Sequence, residues 1–328
     1  VPVAWNPPPA RRRLRDLRPE PPPLDRPGQR HGLPSGTGLI RPPHSDPDCL
    51  VSAPVVLIVG AGMAGLSAAL RLQERGADVM VLEKARGVGG RMATRRISGV
   101  DGRDLRADHG AQFFTVRDAT FREAVRSWEG DNVVTTWCHG FPSAPGQVGR
   151  LGEHERFCGR LGMASVVKHL AEGCTVRLNC RVERLLAEEG GWTVLDQAGE
   201  RLRGDALLMT SPIPQSMTLL ETSGVRLQPD MQSDLGSISY DSCLAVMAVV
   251  DGPTKLPAPG ALQLRSEPID WIADNYVKGI SPAGRAVTIH AAPGFSRRHL
   301  DGDREHAADL LLEAAHPYLG ATVISRQV

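Results

Sequence analysis

Lysine is scarce in this sequence: of 38 basic residues only Lys84, Lys168, Lys255 and Lys278 are lysine. Lys84 adjoins the acid Glu83, and none of the other three lies in a recognisable motif. Aromatic residues are also few, 4% of the chain, which disfavours the aromatic cage that an amine substrate would favour. Charge of one sign is missing as well. With a net charge of +1 there is no cationic excess to displace the counterions of a nucleic acid, so nucleic acid is not expected as a partner. Arginines are scattered among nearly as many acids and read as compositional bias. No apolar run approaches the roughly 18 residues of a membrane span, and no charged segment precedes a short apolar one as in a secretion signal. The expectation is a cytoplasmic protein without a membrane partner. The six cysteines contain no Cys-x-x-Cys pair and no histidine at zinc-site spacing, so no metal is expected and the thiols read as reduced and mostly buried. No methionine precedes Met63, from which synthesis is expected to begin near Val51, with the preceding residues extraneous.

What is present divides unevenly. Residues 1–53 hold 13 of the 26 prolines and an Arg11-Arg12-Arg13 cluster, a composition that cannot bury a core and reads as a disordered extension. A transit peptide fits poorly, because five acids and only three serines fall there. The folded part opens at Val55–Val59, a β-branched apolar run that reads as a buried parallel strand. A helix is predicted from Gly65 to Arg75, stopped by Gly76 in a left-handed conformation, and a second strand from Asp78 to Glu83. Further on, 162–172 reads as helix, 175–186 as strand, and 191–195 with 201–210 as a hairpin leading into a buried strand. Strands at 244–250 and 286–292 and a helix at 303–315 complete a mixed second region, with no internal repeat.

The chemistry is concentrated in glycines. Gly60-Ala61-Gly62-Met63-Ala64-Gly65 is a G-x-G-x-x-G set between strand and helix. Gly60 permits the tight turn, Gly62 lets a pyrophosphate approach the backbone, and Gly65 allows the helix to pack closely. Free amides at the helix start face the phosphates. Glu83 ends the second strand where a carboxylate accepts from ribose hydroxyls and repels a 2′-phosphate, with Lys84 beside it. Gly87-Val88-Gly89-Gly90-Arg91-Met92 is a second glycine-rich loop; an NAD enzyme does not need it, whereas the longer FAD requires another backbone approach with a guanidinium near. Asp108-His109-Gly110-Ala111-Gln112-Phe113-Phe114 follows.

Together these motifs resemble the flavin-containing amine oxidase superfamily, and specifically the renalase family and its bacterial members. Softer matches extend the resemblance from about Val55 to Val328: Gly159-Arg160-Leu161-Gly162-Met163, Cys180-Arg181-Val182, Leu208-Met209-Thr210-Ser211-Pro212, Asp270-Trp271-Ile272 and Ile289-His290-Ala291. The resemblance implies an α/β fold: a glutathione-reductase-like FAD/NAD(P)-binding Rossmann domain with a second α+β substrate domain. Its expected boundaries are 54–112 with 159–212 for the FAD domain and 113–158 with 213–328 for the substrate domain. It implies FAD held along Gly60 to Gly65, Glu83 and Lys84. Gly90, Arg91 and Met92 would lie along the middle of the cofactor. Gly110, Ala111 and Gln112 would lie near the isoalloxazine, Val182 at the adenine through its backbone, and Thr210 and Pro212 along one side, with Asp108 a further cofactor-binding candidate. Asp108 reads equally as a turn residue or cap, and Val182 as a core valine. Family members carry a last flavin-contacting strand and Gly-Asp near their C-terminus. Gly302-Asp303 does not match it, because Arg297-Arg298-His299 and not an apolar strand precedes, so part of the flavin pocket is expected to lie beyond Val328.

The activity implied is oxidation of dihydronicotinamide isomers of NAD(P)H, with hydride passing to FAD and then to O2 as hydrogen peroxide. Such a donor becomes aromatic on losing hydride and needs no base, and no catalytic acid–base residue is assigned. Gln112 and His290 are the candidate substrate-pocket residues, His290 equally a hydrogen-bonded core histidine. Two alternatives stand beside this reading: an amine oxidase or desaturase of the same superfamily, and a non-catalytic nucleotide-binding fragment. The expected partners are a small hydride donor and O2, and the oligomeric state is open.

Overall fold

The structure, a computed structural model, describes residues 52–98, 102–144 and 154–328. The proline-rich extension expected over 1–53 therefore lies almost wholly outside the described residues.

Strand β1 (Val55–Val59) leads through helix α1 (Met63–Gln73) to strand β2 (Asp78–Leu82), and the two strands pair in parallel. The helix starts two residues before the predicted Gly65. No side chain caps it, so the chain turns helical directly after the extended Gly62, and it ends before Gly76 at φ +84°. Hairpin strands β3 (Thr94–Ser98) and β4 (Asp104–Asp108) follow, then α2 (Ala119–Gly130), capped by Asp118, whose carboxylate accepts from the Phe121 amide. Strands β5 (Val134–Cys138) and β6 (Arg156–Gly159) pair antiparallel before α3 (Ala164–Glu172).

The strand expected over 175–186 is two strands in different sheets. β7 (Thr175–Arg177) joins β2 in parallel, whereas β8 (Val182–Glu188) pairs with β9 (Gly191–Asp196), which pairs in turn with β10 (Arg201–Gly204). Asn179 at φ 54° marks the break between them. Next, β11 (Ala206–Met209) returns beside β1, closing a parallel sheet of order β11-β1-β2-β7. Its core joins Ile58, Leu66, Val81 and Val167 to Val116, Val125, Trp128 and Phe157, from the stretch the sequence places with the second domain.

Helices α4 (Ile213–Thr222) and α5 (Pro229–Gly236) lead to β12 (Ala245–Val250), β13 (Ala261–Gln263), β14 (Ile269–Asp274) and β15 (Arg285–Ala291). Then α6 (Pro293–His299), α7 (Arg304–Leu319) and β16 (Val323–Gln327) complete an antiparallel sheet of order β13-β14-β15-β12-β16. Asp303 is the N-cap of α7, its carboxylate accepting from the Glu305 amide at 2.9 Å. Strand alternation decides what each face of this sheet meets. Val287 and Ile289 of β15 pack with Ala307, Leu311 and Ala315 of α7. Ala286, on the opposite face, packs with Ile97, Leu105 and Ala107 of the β3–β4 hairpin. Thr288 and His290 share that second face, so the polar positions of a buried strand point at the end of β4.

Among the described residues no helix is long and apolar enough to cross a membrane, and no three His, Cys, Asp or Glu side chains converge as metal ligands would. The expectation of mostly buried thiols needs correction: Cys158 and Cys180 are buried, Cys138 and Cys174 half-buried and Cys243 exposed, all five free. Burial pushes the Cys138 thiol up to about 11, so it stays protonated at neutral pH.

Candidate flavin site

The turn after β1 is built by backbone proximity. Gly60 holds φ +110° and donates to the Leu82 carbonyl at 2.8 Å. A Cβ on Gly65 would overlap the Gly60 carbonyl oxygen, so the helix could not pack this closely with any other residue there. At Gly62 the situation reverses: nothing lies within 4 Å of an added Cβ. The backbone at Gly62 faces open space while the helix behind it presents amides that no side chain caps.

Glu83 is buried, and it holds the turn together before it can hold any ligand. One carboxylate oxygen accepts from the Ala61 amide and the other from the Ala85 amide, both at 2.8 Å. Each oxygen keeps a further lone pair for a hydroxyl donor. Lys84 donates to the Gln215 side chain at 2.9 Å. The second glycine-rich loop docks on the first, the Gly89 amide donating to the Ala61 carbonyl at 3.0 Å, with Gly89 at φ 135° and Gly90 at φ 51°. The single 3₁₀ turn Gly90–Met92 leaves Arg91 exposed. Its carbonyl accepts from the Ala111 amide at 2.9 Å, and a Cβ on Gly110 would overlap that oxygen, so the two segments are in backbone contact.

Between these loops lies a cavity of about 1140 Å³, just above the range of about 300–1,000 Å³ usual for small-ligand sites, as a ligand of dinucleotide size requires. The first turn contributes Gly60, Gly62, Met63 and Ala64, the second strand's end Glu83 and Lys84, and the second loop Gly90, Arg91 and Met92. Val182, Thr210 and Pro212 close it from the far side. Ala61 and Gly65 do not line it; both are buried and act through the main chain. Sequence reasoning missed one wall: Gln215, Thr218, Leu219 and Thr222 of α4. Their spacing is helical and Pro212 stands immediately before the helix, the signal that could have found it.

Asp108, Gly110, Ala111 and Gln112 are not in that cavity's lining but gather at a second node, where β4 meets the antiparallel sheet. The Asp108 carboxylate is wholly buried and accepts from Thr94 Oγ1 at 2.6 Å, the Met163 amide at 2.8 Å and Lys278 Nζ at 2.7 Å. Its carbonyl accepts from Thr288 Oγ1 at 3.0 Å and from Gln112 Nε2. Asp108 is thus a bridge between both halves of the fold and not simply a turn residue. Gln112 Oε1 is buried with no hydrogen-bond partner, as is Trp271 Nε1, and a buried orphan of this kind in a native fold calls for a ligand or water. His290 is fully buried, its Nε2 3.0 Å from the His109 carbonyl, and burial drives its pKa down to about 3. His109 is shifted the same way, by burial and by the Arg95 charge. No motif places Lys278 here, 170 residues from Asp108 along the chain.

The open Gly62 backbone, the uncapped helix start and the two interlocked glycine loops around the cavity fit a bound flavin nucleotide. Comparison with known proteins agrees. Residues 58–127 match the NAD(P)-binding Rossmann-like domain, and residues 140–324 match the flavin containing amine oxidoreductase family, to which the chain belongs. It is similar to Renalase of Mus musculus, 29% identical over 276 residues that cover 79% of this chain and 78% of that protein. A shorter match, 46% over 65 residues, joins it to a lysine-specific histone demethylase 1 homolog of Arabidopsis thaliana, covering 20% of this chain and 8% of that one. Among solved structures a putrescine oxidase variant superposes with a TM-score of 0.63 at 16% identity, covering 84% of each chain. A fatty acid isomerase from P. acnes superposes with a TM-score of 0.56 at 14% identity, covering 84% of this chain and 85% of that one. At these identities the structures speak for the fold alone. The family makes the chain a flavin-dependent oxidoreductase.

Proposed function

We propose that the chain binds FAD along the cavity between its two glycine loops and oxidises dihydronicotinamide isomers of NAD(P)H. FAD supplies, when bound, a two-electron acceptor that takes hydride and returns the electrons to O2 as hydrogen peroxide. The protein's own contribution is placement. Gly62 and the uncapped start of α1 receive the pyrophosphate, Glu83 the ribose hydroxyls through its spare lone pairs, and the Gly110–Gln112 segment meets the ring end. The expected division into a nucleotide domain (54–112, 159–212) and a substrate domain (113–158, 213–328) belongs to the same proposal.

The observation that carries the choice of substrate is the state of the groups around Gln112. Asp108 is bound by Lys278, Thr94 and the Met163 amide, and His290 stays neutral far below physiological pH. A reaction needing a base to deprotonate its substrate would find these groups engaged; a hydride donor that becomes an aromatic pyridinium needs none. The Trp137 ring already faces a cation of the protein itself, Lys278 Nζ at 4.7 Å.

The test is anaerobic bleaching of the bound flavin. Aged NADH containing the isomers should bleach it, and putrescine should not. Bleaching by putrescine alone would replace this reading with amine oxidation.

A further inference from the structure

Lys278 stands in the short turn that joins β14 to β15, and that turn is held before the lysine makes any contact. Asp274 accepts from the Tyr276 and Val277 amides at 2.9 and 3.3 Å, and its carbonyl from the Lys278 amide at 2.9 Å. Arg285 and Thr254 bind the other Asp274 oxygen at 2.6 and 2.8 Å. Asn275 donates to the Ala286 carbonyl and to Thr288 Oγ1, both at 2.9 Å. The ordering entropy of the lysine's backbone is thus met by neighbours in its own sheet.

From this base the side chain crosses to the end of β4, where it is wholly buried. An ammonium has three donors. One goes to Asp108 Oδ2 and one to the main-chain carbonyl of Gln112, both at 2.7 Å, and the charge faces the Trp137 ring at 4.7 Å. Neutralising Asp108 would need only the first of these. The bond to the Gln112 carbonyl fixes the backbone of the residue whose own amide oxygen has no partner.

We propose that Lys278 is a positioning residue: with its donors engaged it does not hold a water or act as a base, but sets the backbone of Gly110–Gln112 against the flavin ring. This rests on the reading that the segment faces FAD. It also separates two roles of the lysine, charge balance for Asp108 and a hydrogen bond to Gln112, that substitution can pull apart.

The experiment compares two double variants in the full chain, Lys278→Met with Asp108→Asn and Lys278→Gln with Asp108→Asn, each loaded with FAD. Both remove the buried charge pair; only glutamine keeps a donor for the Gln112 carbonyl. The readouts are melting temperature, the visible flavin spectrum, and kcat against KM with the isomer substrate. The glutamine pair should keep the wild-type spectrum. The methionine pair should shift it and lower kcat by about 10- to 100-fold with a smaller change in KM, the scale of a misplaced reacting group. If the methionine pair fails to fold while the glutamine pair folds with a wild-type spectrum, the need for the donor stands. Identical spectra and kcat in both pairs would reduce Lys278 to a counter-ion and overturn the proposal, as would a glutamine pair that loses the wild-type spectrum. A wild-type chain that takes up no FAD would instead sink the functional reading beneath it.

Discussion

The two nodes of this protein are built on opposite plans. The phosphate-facing turn draws on one βαβ unit: Gly60, Gly62 and Gly65 shape the backbone, and Glu83, 22 residues from its partner Ala61, ties it. The node at Asp108 is assembled from side chains far apart in sequence, with Asn275, Lys278 and Thr288 lying 167 to 180 residues from the aspartate they bind. The first is a shape that exists as soon as a local unit folds. The second exists only when β4, α3 and the antiparallel sheet have already met, so it both reports and enforces their registry.

This contrast predicts different failures. Asp108→Ala leaves Lys278 as a buried charge without its carboxylate and should cost about 3–5 kcal/mol in urea unfolding. A loss under about 1 kcal/mol would mean that water reaches the ammonium and the node is not closed. Next comes Gly65→Ala, whose methyl overlaps the Gly60 carbonyl. It should cost about 1–3 kcal/mol by overpacking and lower FAD affinity at the same time.

His290 should impose a pH slope. Its folded pKa of about 3 lies below the unfolded value of 6.5, so the unfolded chain takes up the proton first. The stabilisation is complete above pH 6.5 and declines as pH falls toward 3, by up to about 1.4 kcal/mol per pH unit. Unfolding curves at several pH values, with His290→Gln as control, check this: the slope should flatten in the variant. At the small end, Arg71 and Glu74 form an exposed pair on α1 at 2.7 Å, and Glu74→Ala should change stability by about 0.5 kcal/mol or less.

Legibility in the sequence follows the same division. Val55–Val59, the glycines and Glu83 are readable because strand period, turn conformation and helix packing are decided within the unit that contains them. The helix start reads two residues late in the sequence because an extended Gly62 without a side-chain cap leaves no signature. The 175–186 stretch reads as one strand because its apolar pattern continues across Asn179, where the backbone turns to φ 54° and the chain changes sheets. Asp108 and His290 were visible as motif residues, yet not as parts of one network. Lys278 carries no such signal, since a lone lysine after a strand resembles any surface lysine until the fold buries it.

The most direct test of the flavin site is an FAD titration of the chain and its Gly62→Ala variant, followed by the visible flavin spectrum and by thermal unfolding. Nothing crowds an added methyl at Gly62 within the protein, so the variant should unfold at nearly the wild-type temperature but bind FAD much more weakly, because the methyl occupies the space left for the pyrophosphate. Equal FAD affinity in the two proteins would contradict the account, and place the cofactor elsewhere or nowhere on this chain.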